Sequence, residues 1–392
     1  MTFYIDADYI SLNHVGEELC GDKVEIVRTD ESSIFVLSDG LGSGVKANIL
    51  ATLTSKIIIT MMKEGSTIEE VVETIAATLP ICKVRQVAYS TFSILQVFDD
   101  GRAYLVEFDG PECVMIRDGK IMQLDHTERE VAGKNIRESR FEVKLGDVFA
   151  LFSDGVPYAG VGAVLNLGWQ WENVAAFFRD AARKKQSVPR MLTSIAQMIS
   201  NLYQGKPGDD STVLVAQVVP KRQVNFFSGP PKDKANDERL VHDWYSQEGL
   251  KIVAGGTSAN IVSRVLGVPI NASLYADDPD IPPTATMRGV DLVTEGVLTI
   301  NRTLEILRQY RSLNPEDCDD YFRRLDANNG AAELARILLE KCTHLNLFIG
   351  KAINPAHQNP NLPMDLSIKM RLIEELTQEM RAMGKIVNTY VY

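Results

Sequence analysis

The chain has 392 residues, 45% of them hydrophobic and 24% charged, with a formal net charge of −11. That length exceeds what a single hydrophobic core sustains, about 250 to 300 residues, so two domains are expected. The composition is that of a globular protein, and an acidic balance without a concentrated basic stripe argues against a nucleic-acid partner.

Five cysteines (Cys20, Cys82, Cys113, Cys318 and Cys342) are scattered and form no CxxC pair, which argues against a disulfide framework or zinc cluster and for a reducing compartment. The opening MTFYIDADYI lacks the basic start and apolar stretch of a signal peptide. The most apolar run, residues 49–62, is interrupted by Thr52, Thr54, Ser55, Lys56 and Thr60, and reads as too short and too polar for a membrane span. A cytoplasmic location is expected, with no membrane partner.

In chain order, strand character appears at 23–28 and at SIFVL, 33–37, which runs into Ser38-Asp39-Gly40. Helical spacing follows over 45–63. A second helix over 67–79 is entered through a Ser66-Thr67 cap with Glu69 and Glu70 in its first turn. Strands return at 89–98 and 102–108 around the Asp99-Asp100-Gly101 turn, then at 113–117, 120–124, 141–143 and 148–152. Two helices, 171–184 and 189–203, precede a last strand at 212–219.

Runs of strands and helices segregated in this way indicate an α+β sandwich, not a wound βαβ sheet. Pro220, Lys221 and Arg222 mark a boundary between a first domain, 1–220, and a second, 221–392, and the polar SGPPKDKANDE beyond them reads as a linker or surface loop. In the second domain 250–254 reads as a strand, Gly255-Gly256 as a tight turn, 257–266 as a helix and 363–384 as a long amphipathic helix.

Four aspartates stand out by placement. Asp22 follows Gly21, Asp39 ends an apolar strand in LSDGLGSG, Asp154 ends another in ALFSDGVP, and Asp209 opens DDSTVLV before the last strand. Asp and Gly are also ordinary turn residues, and Asp99-Asp100-Gly101 and Asp118-Gly119 read as that alone. Two SDG copies after apolar strands, together with DDST, point instead to carboxylates gathered at one edge. Such a cluster repels itself unless a cation sits within it, and oxygen-only ligands suit Mg²⁺ or Mn²⁺ better than zinc.

GD at 21–22, SDGLGSGVKA at 38–47, FDGPECVMIRDGK at 108–120, SDGV at 153–156 and DDSTV at 209–213 resemble, in order, the motifs of metal-dependent type 2C protein phosphatases, most closely the SpoIIE-like branch. The resemblance covers residues 10–219. It implies an α-β-β-α sandwich followed by a smaller α/β domain, and a phosphoserine/phosphothreonine phosphatase with two Mn²⁺ or Mg²⁺ ions and a bridging hydroxide for in-line hydrolysis. Asp39 then matches the aspartate that bridges the ions, with the Gly40 carbonyl on one of them. Asp154 and Asp209 match the remaining direct ligands, and Asp22 matches an acid that holds a metal-bound water. The motif leaves open whether the adjacent Asp210 shares or replaces the role of Asp209.

Eukaryotic members often carry a histidine acid and a phosphate-gripping arginine. Neither has a counterpart here, and His14 reads as a surface or core histidine. Gly42, Ser43 and Gly44 open the first long helix, either to receive phosphate through backbone N–H groups or only to turn the helix away from the edge.

In the second domain LKIVAGGTSANIVSRVLG is a strand, turn and helix whose Gly255, Gly256 and Thr257 are candidate anion binders or a plain βα turn. Asp291 and Glu295 are equally ligand candidates or capping residues, and DDPDIPP at 277–283 joins them. His344 reads as ending a helix. By analogy with the family, this domain tunes the phosphatase or senses a small ligand, and the expected substrate is a phosphorylated regulator of the anti-sigma factor antagonist type. Two other readings stand beside this one: a phosphatase-fold scaffold whose second domain senses a ligand, and a second domain that is itself the enzyme. The last amphipathic helix leaves a homo-oligomer open.

Overall fold

The computed structural model describes residues 3–78, 90–272, 283–352 and 365–392. The segment 277–282 of the acidic cluster therefore lies outside the described residues, as do Cys82 and the ends of two sequence-predicted elements, Leu79 and Tyr89. The chain divides into two compact units, Met1–Pro220 and Lys221–Tyr392.

The first unit runs β1 (Phe3–Leu12), β2 (Asp22–Arg28), β3 (Ser32–Gly40), α1 (Gly44–Lys63), α2 (Ile68–Thr78), β4 (Ser90–Phe98), β5 (Arg102–Phe108), β6 (Val114–Arg117), β7 (Lys120–Met122), β8 (Thr127–Val131), β9 (Lys134–Glu142), β10 (Val148–Phe152), α3 (Trp171–Arg183), α4 (Val188–Leu202) and β11 (Ser211–Pro220). Two sheets form, ordered β1-β11-β10-β6-β7 and β2-β3-β4-β5-β9-β8. Every pairing within them is antiparallel.

Strand alternation explains the layers. Phe35, Leu37, Leu95, Leu105, Phe149, Leu151, Leu214 and Ala216 share one core in which both sheets take part. Their neighbours in sequence face outward to the helices. Ile34 and Val36 meet Ile58, Ile59 and Met62 of α1 with Val71 and Val72 of α2, while Val148, Phe152, Val213 and Val215 meet Phe178 of α3 and Ile195 and Ile199 of α4. The result is the α-β-β-α sandwich. Because both faces of β3 are covered, SIFVL is apolar throughout instead of alternating.

By length and composition alone α1 would pass for a membrane span. It is a core helix, since Ala47, Ala51, Thr54, Ser55, Ile58, Ile59 and Met62 are buried along one side. Helix α2 starts with a reciprocal cap in which the Thr67 N–H donates to Glu70 Oε2 (2.9 Å) and the Glu70 N–H to Thr67 Oγ1 (3.3 Å). Sequence reading leaves out β1, because FYIDADYISL mixes acids into its apolar positions. It also reduces the β8–β9 hairpin to residues 141–143, since that hairpin is mostly charged.

The second unit runs β12 (Gln223–Ser228), α5 (Asp237–Tyr245), β13 (Leu250–Ala254), α6 (Gly256–Leu266), β14 (Asn271–Ala272), β15 (Ala285–Met287), β16 (Val290–Thr294), α7 (Val297–Arg311), α8 (Cys318–Leu325), α9 (Gly330–Glu340), β17 (His344–Ile349), α10 (Asp365–Ala382) and β18 (Ile386–Val391). Its sheet order is β14-β15-β16-β13-β12-β17-β18, and the five strands from β16 to β18 are parallel. The chain winds outward from β12 to β13 and β16, then returns to the other side of β12 for β17 and β18. This is a doubly wound α/β domain whose order reverses between β12 and β17.

Its two faces carry separate cores. Val224, Phe226 and Ile252 pack with α7, α9 and α10, and Phe227 and Val253 pack with Trp244 of α5 and Val262 of α6. A ladder of amides fixes the register, with Asn388 donating to Asn346 (3.0 Å) and Asn346 to Asn225 (2.9 Å) across three paired strands. Two expectations are corrected here. SGPPKDKANDE is no linker: Ser228 ends β12, and Asp237 already belongs to α5. His344 does not end a helix, because α9 stops at Glu340 and His344 begins β17.

Candidate active site

The four aspartates come from three places that the sandwich brings to one edge. Asp22 begins β2 and Asp39 nearly ends β3, and the antiparallel register sets them directly opposite each other. Asp154 lies two residues beyond β10, while Asp209 and Asp210 immediately precede β11, which pairs with β10. A cavity of about 370 Å³ at this edge is lined by His14, Asp39, Gly40, Gly42, Ser43, Ser90, Asp154 and Asp209, among others.

Two glycines allow the close approach. A Cβ on Gly40 would stand 2.1 Å from the Ala47 carbonyl oxygen, and one on Gly155 would stand 2.1 Å from that of Asp210. These collisions give the glycine after each SDG aspartate a packing reason beyond turn formation.

Asp22 lies beneath the cavity instead of lining it. It is buried, and its Oδ2 accepts from Ser153 Oγ at 2.7 Å, while Ser153 Oγ accepts from the Thr212 N–H at 2.9 Å. The serine of the second SDG thus braces the aspartate of GD. Asp210 also turns inward, its Oδ1 accepting the His14 N–H at 2.9 Å. Asp209 faces the cavity and Asp210 does not, so the two acids of DDST do different work.

Burial, reinforced by Asp22, Asp154 and Asp209, pushes the Asp39 carboxyl up to about 9. Burial raises Asp22 to about 7 against the opposing hydrogen bonds from Ser153 and Thr212. Asp154 and Asp209 are also raised, first by burial, with the Asp154 charge adding to Asp209. Burial, together with Asp22 and Asp210, lifts the Cys20 thiol to about 12, so it stays protonated and is no nucleophile.

Carboxylates held this way keep protons unless a cation replaces them. Two buried oxygens, Asp22 Oδ1 and Asp210 Oδ2, have no hydrogen-bond partner. Among the described residues no arginine or lysine lines the cavity. No group of three or more His, Cys, Asp or Glu side chains among the described residues is already arranged to hold a metal ion. The donor set is wholly oxygen, charged and short of counter-ions, and it fits a hard divalent cation.

The remaining sequence candidates divide. Gly42 and Ser43 line the cavity, but Ser43 Oγ donates to Glu17 (3.4 Å), and a Cβ on Gly44 would strike the same carboxylate. The start of α1 therefore already faces an anion. Gly255, Gly256 and Thr257 line a different cavity, in the second unit. Asp291 accepts from the Lys251 N–H (2.7 Å) and Glu295 from the Leu298 N–H (3.1 Å), the backbone-bonding alternative for each. Sequence reasoning set aside His14, which lines the active-site cavity. The missing signal was β1, whose last pair, Leu12↔Ser211, carries the chain to the DDST acids.

Residues 29–219 match the family model described as stage II sporulation protein E (SpoIIE). No curated protein matches the chain. Solved structures with similarity include the PP2C phosphatase domain and regulatory fragment of SpoIIE from Bacillus subtilis, at 15% identity and TM-score 0.47, covering 55% of this chain and 62% of that one. RsbX in complex with magnesium overlaps at 19% identity and TM-score 0.40, over 55% of this chain and 95% of that one. The RsbU and RsbW domains of Rv1364c from Mycobacterium tuberculosis overlap at 18% and 0.44, over 61% and 67%.

The matched span, just under half of the chain, lies within the first unit and is similar to the SpoIIE family.

Proposed function

We propose that the protein hydrolyses phosphoserine or phosphothreonine on a phosphorylated regulatory protein, of the kind represented by anti-sigma factor antagonists, using two Mn²⁺ or Mg²⁺ ions. The observation that carries this reading is the edge itself: converging aspartates and, among the described residues, two buried oxygens without partners and no basic side chain in the lining. Asp39, the Gly40 carbonyl, Asp154 and Asp209 would hold the ions, with Asp22 behind them. When bound, such ions supply Lewis acidity for the phosphoryl oxygens and lower the pKa of attacking water.

The chain's own part is positioning. Ser153 holds Asp22 in one rotamer, the His14 amide holds Asp210, and the glycine contacts fix the loops that carry Asp39 and Asp154. The high affinity of these carboxyls for protons makes cation binding a proton-releasing step. The second unit is read as the regulator of this activity, and the whole protein as cytoplasmic.

Hydrolysis of an aryl phosphate with and without Mn²⁺, by wild type and Asp39→Asn, tests the reading. Turnover that needs both the metal and Asp39 supports it, and turnover indifferent to Asp39 rejects the site.

A further inference from the structure

The second unit has a cavity of about 200 Å³ that the phosphatase reading does not use. Ser228, Gly229, Ala254, Gly255, Gly256 and Lys369 are among the residues lining it. It lies at the carboxyl ends of the parallel strands, and its walls include the ends of β12 and β13 with the turns that follow β16. Ala352, three residues beyond β17, also lines it, so the cavity reaches the point between β12 and β17 where strand order reverses, which is where open α/β sheets take ligands.

Glycines follow four of these strands. A Cβ on Gly229 would collide with Lys369 Nζ, and one on Gly350 would stand 2.0 Å from the Pro230 carbonyl oxygen. Gly256 differs, because a Cβ there would meet nothing within 4 Å and its φ is ordinary for any residue. Tight packing accounts for Gly229 and Gly350, and it leaves Gly256 unexplained.

The charges in the lining favour an anion. Helices α6 and α7 both open on the cavity, each presenting backbone N–H groups at the positive end of its dipole. Lys369 reaches in from α10 and donates only to the Ser228 and Gly350 carbonyls, at 3.0 and 2.9 Å. Among the described residues it has no carboxylate partner, and burial alone pushes its ammonium down to about 8. A burdened cation of this kind gains from an anionic ligand. Among the described residues the one carboxylate in the lining, Glu295, is committed to the Leu298 N–H.

We infer that the second unit binds a small phosphate-bearing molecule in this cavity, its phosphate set against the openings of α6 and α7 and its charge balanced by Lys369. The site is separate from the phosphatase edge and does not depend on it.

Isothermal titration calorimetry of the full chain in EDTA tests this, with inorganic phosphate and adenosine monophosphate as probes. The expected result is saturable binding at one site by wild type and by Asp39→Asn, weakened at least about tenfold by Gly256→Asp and by Lys369→Gln. A tighter constant for the nucleotide than for phosphate would place an organic moiety in the cavity as well. If Gly256→Asp melts early, Lys369→Gln decides. Absence of heat with both probes, undiminished binding in Lys369→Gln, or loss of binding in Asp39→Asn would each overturn the proposal.

Discussion

Both units gather their chemistry where strands end, yet with opposite electrostatics. The first brings acids together from β2, β3 and the turns beside β10 and β11, with no basic side chain in the cavity lining among the described residues. The second builds its cavity from glycines, two helix openings and one lysine. Side-chain charge defines the first site and backbone dipoles define much of the second. That contrast governs what a substitution can break, since an aspartate can be neutralised by one change while a backbone N–H cannot.

The largest expected effect is on the acidic edge. Asp39→Asn should lower kcat/KM for an aryl phosphate in Mn²⁺ on the order of 10³-fold, as loss of one charge-stabilising group does elsewhere. The same change should raise the melting temperature of the metal-free protein at neutral pH, because it removes a carboxyl that burial and the neighbouring acids force to take up a proton on folding. A metal-free melting temperature that falls would break the account of the edge.

Next comes a test of whether the units stand on separate cores. Trp244 is fully buried, packs on Phe227, and its Nε1–H donates to the Asn225 carbonyl at 2.9 Å. Trp244→Ala should cost the second unit about 3–5 kcal/mol, measured by calorimetry, while basal aryl-phosphate turnover is retained. Parallel loss of turnover would show that the first unit depends on the second for its fold.

Ser153→Ala sharpens the reading of the first unit. It removes the Oγ–H that holds Asp22 and leaves Asp39, Asp154 and Asp209 in place, so metal affinity should fall about 10- to 100-fold in a Mn²⁺ titration. An effect as large as that of Asp39→Asn would make the serine a direct participant.

The smallest effect is a pH dependence in the second unit. Burial lowers Lys369 from its ordinary 10.5 to about 8, so between those values the unfolded chain binds the additional proton. Stability should therefore rise as pH climbs through that window and be lost as it falls toward 8. Lys369→Met should flatten the profile of urea midpoints in this interval, and an unchanged slope would remove the lysine from the account.

How much could be read beforehand also differs between the units. In the first, Asp39 and Asp154 announce themselves because each follows an apolar strand, and chain order alone placed Asp22 and Asp209 with them. What stayed hidden depended on pairing over long sequence distance: Ser153 against Asp22, and His14 against Asp210. In the second unit Gly255-Gly256 was visible as a local turn. Lys369 sits 113 positions beyond Gly256 on an amphipathic helix, where nothing in its neighbours marks it as facing a cavity. Local patterns reveal strands and turns, whereas the partners that complete a site are chosen by topology.

The pairing of β1 with β11 along ten residues, from Phe3↔Pro220 to Leu12↔Ser211, has a consequence for biosynthesis. At about 5–20 residues per second, the opening strand waits roughly 10 to 40 s for its neighbour to be translated. Asp209 and Asp210 emerge just ahead of that neighbour, so the last carboxylates and the last strand arrive together. A nascent chain interrupted upstream has neither, and on a ribosome the acidic edge stays incomplete until the sandwich can close.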